Sequence, residues 1–261
     1  MVLLEDRGVV RVAGPDAGTL LQGLLTNDVL QLAPGQSRFA ALLSPQGKIL
    51  FDFIVFRVSE DEFLLDAPAA RTGELARRLG FYKLRAQAVI ADVSADWAVV
   101  AGANGAPADP RAQALGGRKL VPRAAAPAPD ASAYAAHEAA RIRAGVPEGG
   151  RDFAFGEIFP SDANMDLLHG VDFAKGCYVG QEVVSRMKHR GEVRKRISRV
   201  ALDGPAPAPG AAVLDGDLPV GILGTAAGAQ ALALLRLDRV EAAEQAGRPL
   251  NAQGVRLARL A

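Results

Sequence analysis

Along the first half of the chain, short apolar runs alternate with turn-forming residues, and the period of each run predicts its structure. In PDAGTLLQGLLTNDV, residues 15–29, Leu20, Leu21, Leu24 and Leu25 recur at helical spacing behind Asp16, with Asn27 and Asp28 as stop residues. One short amphipathic helix is expected there. RFAALLS (38–44) and ILFDFIVFRV (49–58) are apolar and aromatic, and the SPQGK between them is a turn, so the pair reads as a hairpin, with DEFLLD as a third strand. Residues 68–79 read as a helix, followed by LRAQAVIADVS and DWAVVAG as strands. Ala, Pro and Gly dominate between Asn104 and Ser132, which predicts a long connection with little core of its own. Residues 132–144 form the clearest helix, stopped by Gly145 and Pro147. From Val193 onward the runs ISRVAL, AAVL, VGILGTA and ALALLRL are cut by Gly, Pro and Asp, the spacing of a small antiparallel barrel or sandwich.

At 261 residues and 49% apolar, the chain suits two or three modest globular domains. A net charge of +1 gives no global attraction to nucleic acid or to an anionic membrane. Glu5, Asp6 and Arg7 fall where a secretory peptide needs apolar residues, and no apolar run is long enough to span a bilayer, so a cytoplasmic protein is expected. The GK of SPQGKIL lacks the upstream glycine and the hydroxyl of a phosphate loop, which argues against an NTPase. His137, His169 and His189 have no zinc spacing; His137 is expected on a helix surface and the others on loops near the cysteine.

The only cysteine, Cys177, sits in KGCYVGQE, residues 175–182. Alone it excludes an internal disulfide and cannot supply every ligand of a zinc site or an iron–sulfur cluster. Lys175, Arg186, Lys188, His189, Arg190, Arg194, Lys195 and Arg196 make its surroundings basic, and nearby cations favour a thiolate. The plain alternative is a buried, inert space-filler. Gly176 and Gly180 favour the reactive reading, since they permit unusual backbone and close approach by a ligand or second chain. Gln181 and Glu182 either anchor the loop or cap the helix that follows. Asp52 shares one side of its alternating strand with Leu50, Ile54 and Phe56, an expensive position for a carboxylate unless it has a partner or a ligand. Desolvation would raise its pKa and suit it to hold a proton; the alternative is an edge-strand Asp facing water. In FPSDANMD, residues 159–166, Asp162, Asn164 and Asp166 lack the glycine and terminal Glu of a calcium loop, so a self-capping turn is expected. The basic run 186–196 suits either a tRNA contact or a solvated strand, and no stacking aromatics are interleaved in it.

KGCYVGQEVVSRM followed by HRGEVRKR resembles the signature of the YgfZ/GcvT-like folate-binding proteins, in particular the branch engaged in iron–sulfur protein maturation and its mitochondrial relatives. The likeness runs through LLTNDV, LLSPQGKILFDFIVFR, ADPRAQALGGRKL, RIRAGVPEGGRD and FPSDANMDLLHGVDF in the family's order. It implies an α+β fold: a three-lobed ring with two α/β lobes around a central folate-sized cavity, and a C-terminal antiparallel β-barrel. Here the lobes would be 1–38 with 132–191, 39–131, and 192–261. The resemblance further implies that Asp52 faces the reactive nitrogens of tetrahydrofolate and that Asn27 and Asp28 border the cavity. Lys175, Tyr178 and Arg194 would complete the cofactor site. Two departures stand out. Arg143 replaces the Glu of the aminomethyltransferase segment R-ϕ-E-A-G, and a cation cannot accept hydrogen bonds from a pterin ring. The cysteine loop also replaces the aminomethyltransferase sequence. The implied function is a folate-binding accessory protein for assembling or repairing four-iron cluster proteins, with Cys177 and Asp52 as its working groups. Cys177 would supply one ligand of a transient shared cluster, or attack a transferred sulfur, while a scaffold, carrier or client protein is bound. The alternative is a tetrahydrofolate-dependent one-carbon transferase using Asp52.

Overall fold

Three antiparallel sheets divide the strands in a computed structural model that describes residues 1–191 and 193–260. In chain order the elements are β1 (Val2–Leu3), β2 (Arg7–Ala13), α1 (Ala17–Gln22), β3 (Ser37–Leu43), β4 (Ile49–Ser59), β5 (Glu62–Pro68), α2 (Thr72–Lys83) and β6 (Val89–Asp92). There follow β7 (Trp97–Ala101), β8 (Arg118–Pro122), α3 (Ala131–Arg143), α4 (Gln181–Arg190), β9 (Lys195–Asp203) and β10 (Ala212–Asp215). The chain closes with β11 (Leu218–Ala227), β12 (Gln230–Arg236), α5 (Leu237–Gln245), β13 (Leu250–Ala252) and β14 (Val255–Arg259). One sheet runs β3-β4-β5-β2-β6, a second β1-β7-β8, and β10-β11-β12-β9-β14-β13 close into a six-stranded barrel. The α+β class and the terminal barrel agree with the sequence reading. Sheet membership cuts the two lobes differently from the expected division: strands within 7–92 form one sheet, and residues 2–3 join 97–122 in the other.

The hairpin of β3 and β4 follows from SPQGK. Gly47 adopts φ 78°, and its N–H donates to the Ser44 carbonyl at 2.8 Å. The five-stranded sheet buries both faces. On one side Phe51, Phe53 and Phe63 of the sheet share a core with Leu21 of α1 and Leu75 and Leu79 of α2. On the other side Val9, Phe39, Ile54, Ile142, Met165 and Ile197 join that sheet to α3, the 157–171 segment and the barrel.

Three local differences from the sequence reading have physical causes. The first helix ends at Gln22 because the chain then lies along β3: Leu25 bridges to Leu42, and Thr26 N–H donates to Ala41 O at 3.1 Å. Helix α2 starts at Thr72 after a short 3₁₀ turn and continues to Lys83. A register shift between Leu42 and Leu43 places one extra residue in β4, so Ile49 shares the core with Ile54 and Phe56 while Leu50 packs on the opposite face. Asp52 therefore has Ile49, not Leu50, on its side.

Candidate functional site

The cysteine loop is clamped at both ends. Ahead of the thiol, Asp172 accepts the N–H groups of Ala174 (2.8 Å) and Lys175 (3.1 Å). Lys175 Nζ donates to the carbonyls of Gln22 (2.8 Å), Leu25 (2.6 Å) and Asn27 (3.1 Å), groups that α1 and its following turn leave without intrahelical partners. Burial lowers the Lys175 pKa to about 8, opposed by Asp28 and Asp172. Its three donors point into the protein, so this ammonium is spent on fixing the loop. Tyr178 is buried against the core with its ring centroid 5.1 Å from Lys175 Nζ, and burial, then Asp172, push its hydroxyl up to about 12.

Behind the thiol, Gly180 opens α4 with φ 83°, where an added Cβ would stand 2.6 Å from Ser44 O. Its neighbour in space, Gly47, would bring a Cβ within 3.0 Å of Val183. The β3–β4 turn and the start of α4 thus interlock through two glycines. Gly176 differs: it has open space around it and needs no left-handed backbone, so the sequence argument holds for Gly180 alone. Between the clamps, Cys177 is exposed, which removes the buried space-filler alternative. Arg186, Lys188 and His189 are exposed along α4, Lys188 with its ammonium 3.6 Å from the Phe173 ring centroid. His189 therefore lies on a helix, not a loop; His169 is exposed in a turn.

Asp52 is 4% exposed on the inner face of β4, not at a wet edge. Gly149 N–H donates to its Oδ2 at 3.3 Å, while Oδ1 is buried with no hydrogen-bond partner among the described residues. Only glycine fits at 149, since a Cβ there would lie 2.7 Å from that oxygen and 2.2 Å from Phe155.

Around Asp52 lies a feature that sequence reasoning missed, a buried ion network joining all three sheets. Arg7 on β2 and Arg118 on β8 share Asp66 of β5, each at 2.7 Å. Asp109 holds Arg111 at 2.8 Å, and Arg111 reaches Glu148 at 3.3 Å. Arg141 of α3 donates to Asp152 at 2.7 Å and to Thr225 Oγ1, on the barrel strand β11, at 2.7 Å. Arg7, Arg111, Arg118 and Arg141 match Asp66, Asp109, Glu148 and Asp152 one for one, which leaves Asp52 as the surplus carboxyl. Burial works against every charge here. The guanidiniums nevertheless hold Glu148 well below the usual carboxylate range and Asp109 down at about 2, whereas burial pushes Asp52 up against the opposing pull of Arg7. The 104–132 segment, expected to carry little core, supplies Asp109, Arg111 and Arg118 to this network. His137 likewise is no surface residue: it is half-buried, and burial together with Arg118 and Arg111 lowers its pKa.

A cavity of about 340 Å³ opens beside the network, walled by Arg7, Arg71, Glu148, Gly149, Arg151 and Phe155. The Arg71 guanidinium stands 4.8 Å from the ring centroids of both Phe51 and Phe155. Asp52 lies one hydrogen bond behind this wall, through Gly149.

The other predicted residues fall elsewhere. Asn27 donates to the carbonyls of Phe39 (2.8 Å) and His169 (2.6 Å) and borders a different cavity, with Arg38, Asp166 and Lys188. Asp28 accepts from Leu30 and Gln31 N–H in its own turn; burial opposes its ionisation, but those bonds and Gln22 lower its pKa. Arg194 and Arg143 are both exposed; within RIRAG it is Arg141, two residues earlier, that enters the interior. In FPSDANMD, Asp162 caps Phe159 N–H, Asn164 donates to Gly145 O and Ile197 O, and Asp166 pairs with Arg196, so this turn docks the barrel strand β9. Among the described residues no cluster of His, Cys, Asp and Glu forms a metal site. Asp52 and Cys177 occupy separate places: the first contacts Gly149 inside the network, the second stands on a loop braced by α1 and the 44–47 turn.

Sheets and barrel together define a protein of the glycine-cleavage T-protein fold. Along 99% of its length the chain superposes, with a TM-score of 0.76 and 17% identity, on 84% of the aminomethyltransferase T of the glycine cleavage system from Bartonella henselae. Residues 5–114 match the GCVT N-terminal domain and residues 194–259 the C-terminal beta-barrel domain of CAF17. The mitochondrial iron–sulfur cluster assembly factor IBA57 of Homo sapiens is 32% identical over 91% of this chain and 78% of its own length. The Mus musculus protein is 32% identical over 79% and 67%. The homolog in Mycosarcoma maydis is 36% identical over 74% of this chain, which spans 55% of that longer protein. The chain belongs to the IBA57 family of iron–sulfur cluster assembly factors. These relatives are named as mitochondrial, which overturns the expectation of a cytoplasmic protein.

Proposed function

We propose that this protein assists iron–sulfur cluster assembly by presenting Cys177 Sγ as a single ligand to a cluster whose other ligands come from a docked carrier or client protein. The observation that carries this reading is the chain's one thiol held out to solvent on a loop fixed from both sides. A lone thiol cannot retain a cluster, so cargo reaches it and leaves it with the partner, and the thiol gives up its proton on binding iron. Fixing the loop matters because a ligand shared across an interface has to be in place before the partner arrives. The test is complementation in cells lacking the corresponding factor. Wild type is expected to restore four-iron enzyme activities, and Cys177→Ala, at equal protein level, is expected to fail; full restoration by Cys177→Ala refutes the reading.

Tetrahydrofolate is the second element of the proposal. A cavity of about 340 Å³ with flat walls built from Arg71 and Phe155 suits a planar heterocycle, and the orphaned Oδ1 of Asp52 lies behind that wall, past Gly149. Arg7, Arg71, Gly149 and Phe155 would hold its ring, and when bound it would supply a one-carbon carrier. Asp52 would keep a proton one hydrogen bond behind it, past Gly149, since burial holds this carboxyl up. Calorimetric titration with tetrahydrofolate of wild type and Asp52→Ala checks this element: equal affinity, or none, removes it. A one-carbon transferase is the competing reading, and turnover of methylene-tetrahydrofolate with an amine that survives Cys177→Ser but not Asp52→Asn would replace the thiol mechanism.

A further inference from the structure

The two edges of the five-stranded sheet differ. The β3 edge is covered by residues 25–26. The β6 edge pairs only with β2 among the described residues. Val10 stands opposite Asp92, Arg11 opposite Ala91 and Ala13 opposite Val89, and Val93 N–H donates to Val9 O at 2.9 Å. Antiparallel alternation then turns the ladder groups of Val89 and Ala91 toward β2 and those of Ile90 and Asp92 outward. Unpaired groups along an edge are a template for another strand, and charges, proline or a bulge ordinarily guard them. Here the one edge carboxylate, Asp92, is drawn back onto Thr72 Oγ1 (2.6 Å) and Ser94 Oγ (2.6 Å).

Apolar side chains flank this edge. Val89 is 61% exposed, and Phe81 and Leu84, at the end of α2, are 66% and 88% exposed. Arg77, Arg78, Lys83 and Arg85 lie in the same stretch with no ion-pair partner among the described residues, which leaves four uncompensated cations beside this edge.

We propose that β6 and the end of α2 form a docking edge for an extended, acidic polypeptide segment that adds a strand to the sheet. Backbone pairing with Ile90 and Asp92 gives affinity, the exposed apolar side chains give contact area, and the four cations select a partner rich in Glu or Asp. A second copy of this chain fits worse, because it would bring the same cations against one another. A lipid surface fits worse, because it leaves the outward N–H and C=O groups unpaired.

The test is fluorescence anisotropy of the full chain with two labelled octapeptides, one alternating Val and Glu, the other Val and Lys. Wild type is expected to prefer the acidic peptide by about tenfold or more. Ile90→Pro removes an outward N–H yet leaves the ladder to β2, and is expected to weaken binding about tenfold. Arg77→Glu with Arg85→Glu, both at exposed positions, is expected to invert the peptide preference in a protein whose melting temperature is unchanged. The proposal is overturned by absence of binding, by equal affinity for the two peptides, or by binding that both variants retain. Self-association, or attachment to phosphatidylserine vesicles without peptide binding, overturns it as well.

Discussion

Arg141→Met is the sharpest test of the buried network. Methionine keeps the apolar stem but deletes the guanidinium bonds to Asp152 (2.7 Å), Val146 O (2.8 Å), Thr225 Oγ1 (2.7 Å) and Glu138 (3.0 Å). Breaking a buried ion pair from one side costs about 3–5 kcal/mol. Asp152 keeps the Glu148 N–H (2.9 Å) and the N–H and hydroxyl of Thr225 (2.8 and 2.6 Å), so the low end applies, about 3 kcal/mol. For a chain of this size that corresponds to a fall in melting temperature of about 6–12 °C. The pH dependence gives the mechanism its signature. Glu148, held far below its ordinary 4.5, contributes stability that is present above that value and lost as pH falls through the folded-state pKa. Without Arg141 this depression weakens, so the deficit is full at pH 7 and shrinks as pH falls below the variant's own Glu148 pKa, which Arg7, Arg111 and Arg118 still hold under 4.5. Urea denaturation followed by circular dichroism at pH 7 and at successively lower pH down to about 2 measures both, and Arg141→Met/Asp152→Asn is expected to recover part of the loss. A deficit under about 1 kcal/mol at pH 7, or a deficit that does not shrink anywhere down the acid series, refutes the coupling of these charges.

Asp52→Asn reports on the surplus carboxyl. The wild-type group, raised above its ordinary 3.8, contributes stability present below that value and lost as pH rises through the folded-state pKa, so the variant gains on wild type as pH rises above 4 in paired urea titrations. Lys175→Met deletes three carbonyl contacts and is expected to cost about 1.5–3 kcal/mol at pH 7.5. Because the folded protein sheds this proton near 8, against 10.5 unfolded, wild-type stability is expected to rise across that window and the variant's to stay flat. Gly180→Ala forces a side chain into a left-handed position against Ser44 O and is expected to cost about 1–3 kcal/mol, whereas Gly176→Ala stays within about 0.5 kcal/mol; thermal melts of the two separate the glycines.

Some of this protein was legible in its sequence because the information is local. The period of apolar residues, the SPQGK turn and the Gly- and Pro-cut runs after Val193 specify the hairpin, helices α1, α2 and α3 and the short antiparallel strands of the last third, since each depends on neighbours a few positions away; α5 and the closure of those strands into a barrel were not legible there. KGCYVGQE marked the thiol loop in the same way. Asp52 announced itself as a carboxylate on an apolar face, although a single bulge changed which neighbours it has.

Tertiary structure alone decided where the charges go. Arg7 and Asp66 are 59 residues apart, Arg118 and Asp66 are 52, and Arg111 and Glu148 are 37, so no window of sequence shows them as pairs. In isolation each reads as a solvated surface residue, because burying one is ruinous unless its partner is buried with it. The same holds for Lys175, whose basic neighbourhood suggested a charge aimed at the sulfur. Folding instead sets it beneath three carbonyls at the end of α1, where helix geometry leaves oxygens in need of a donor.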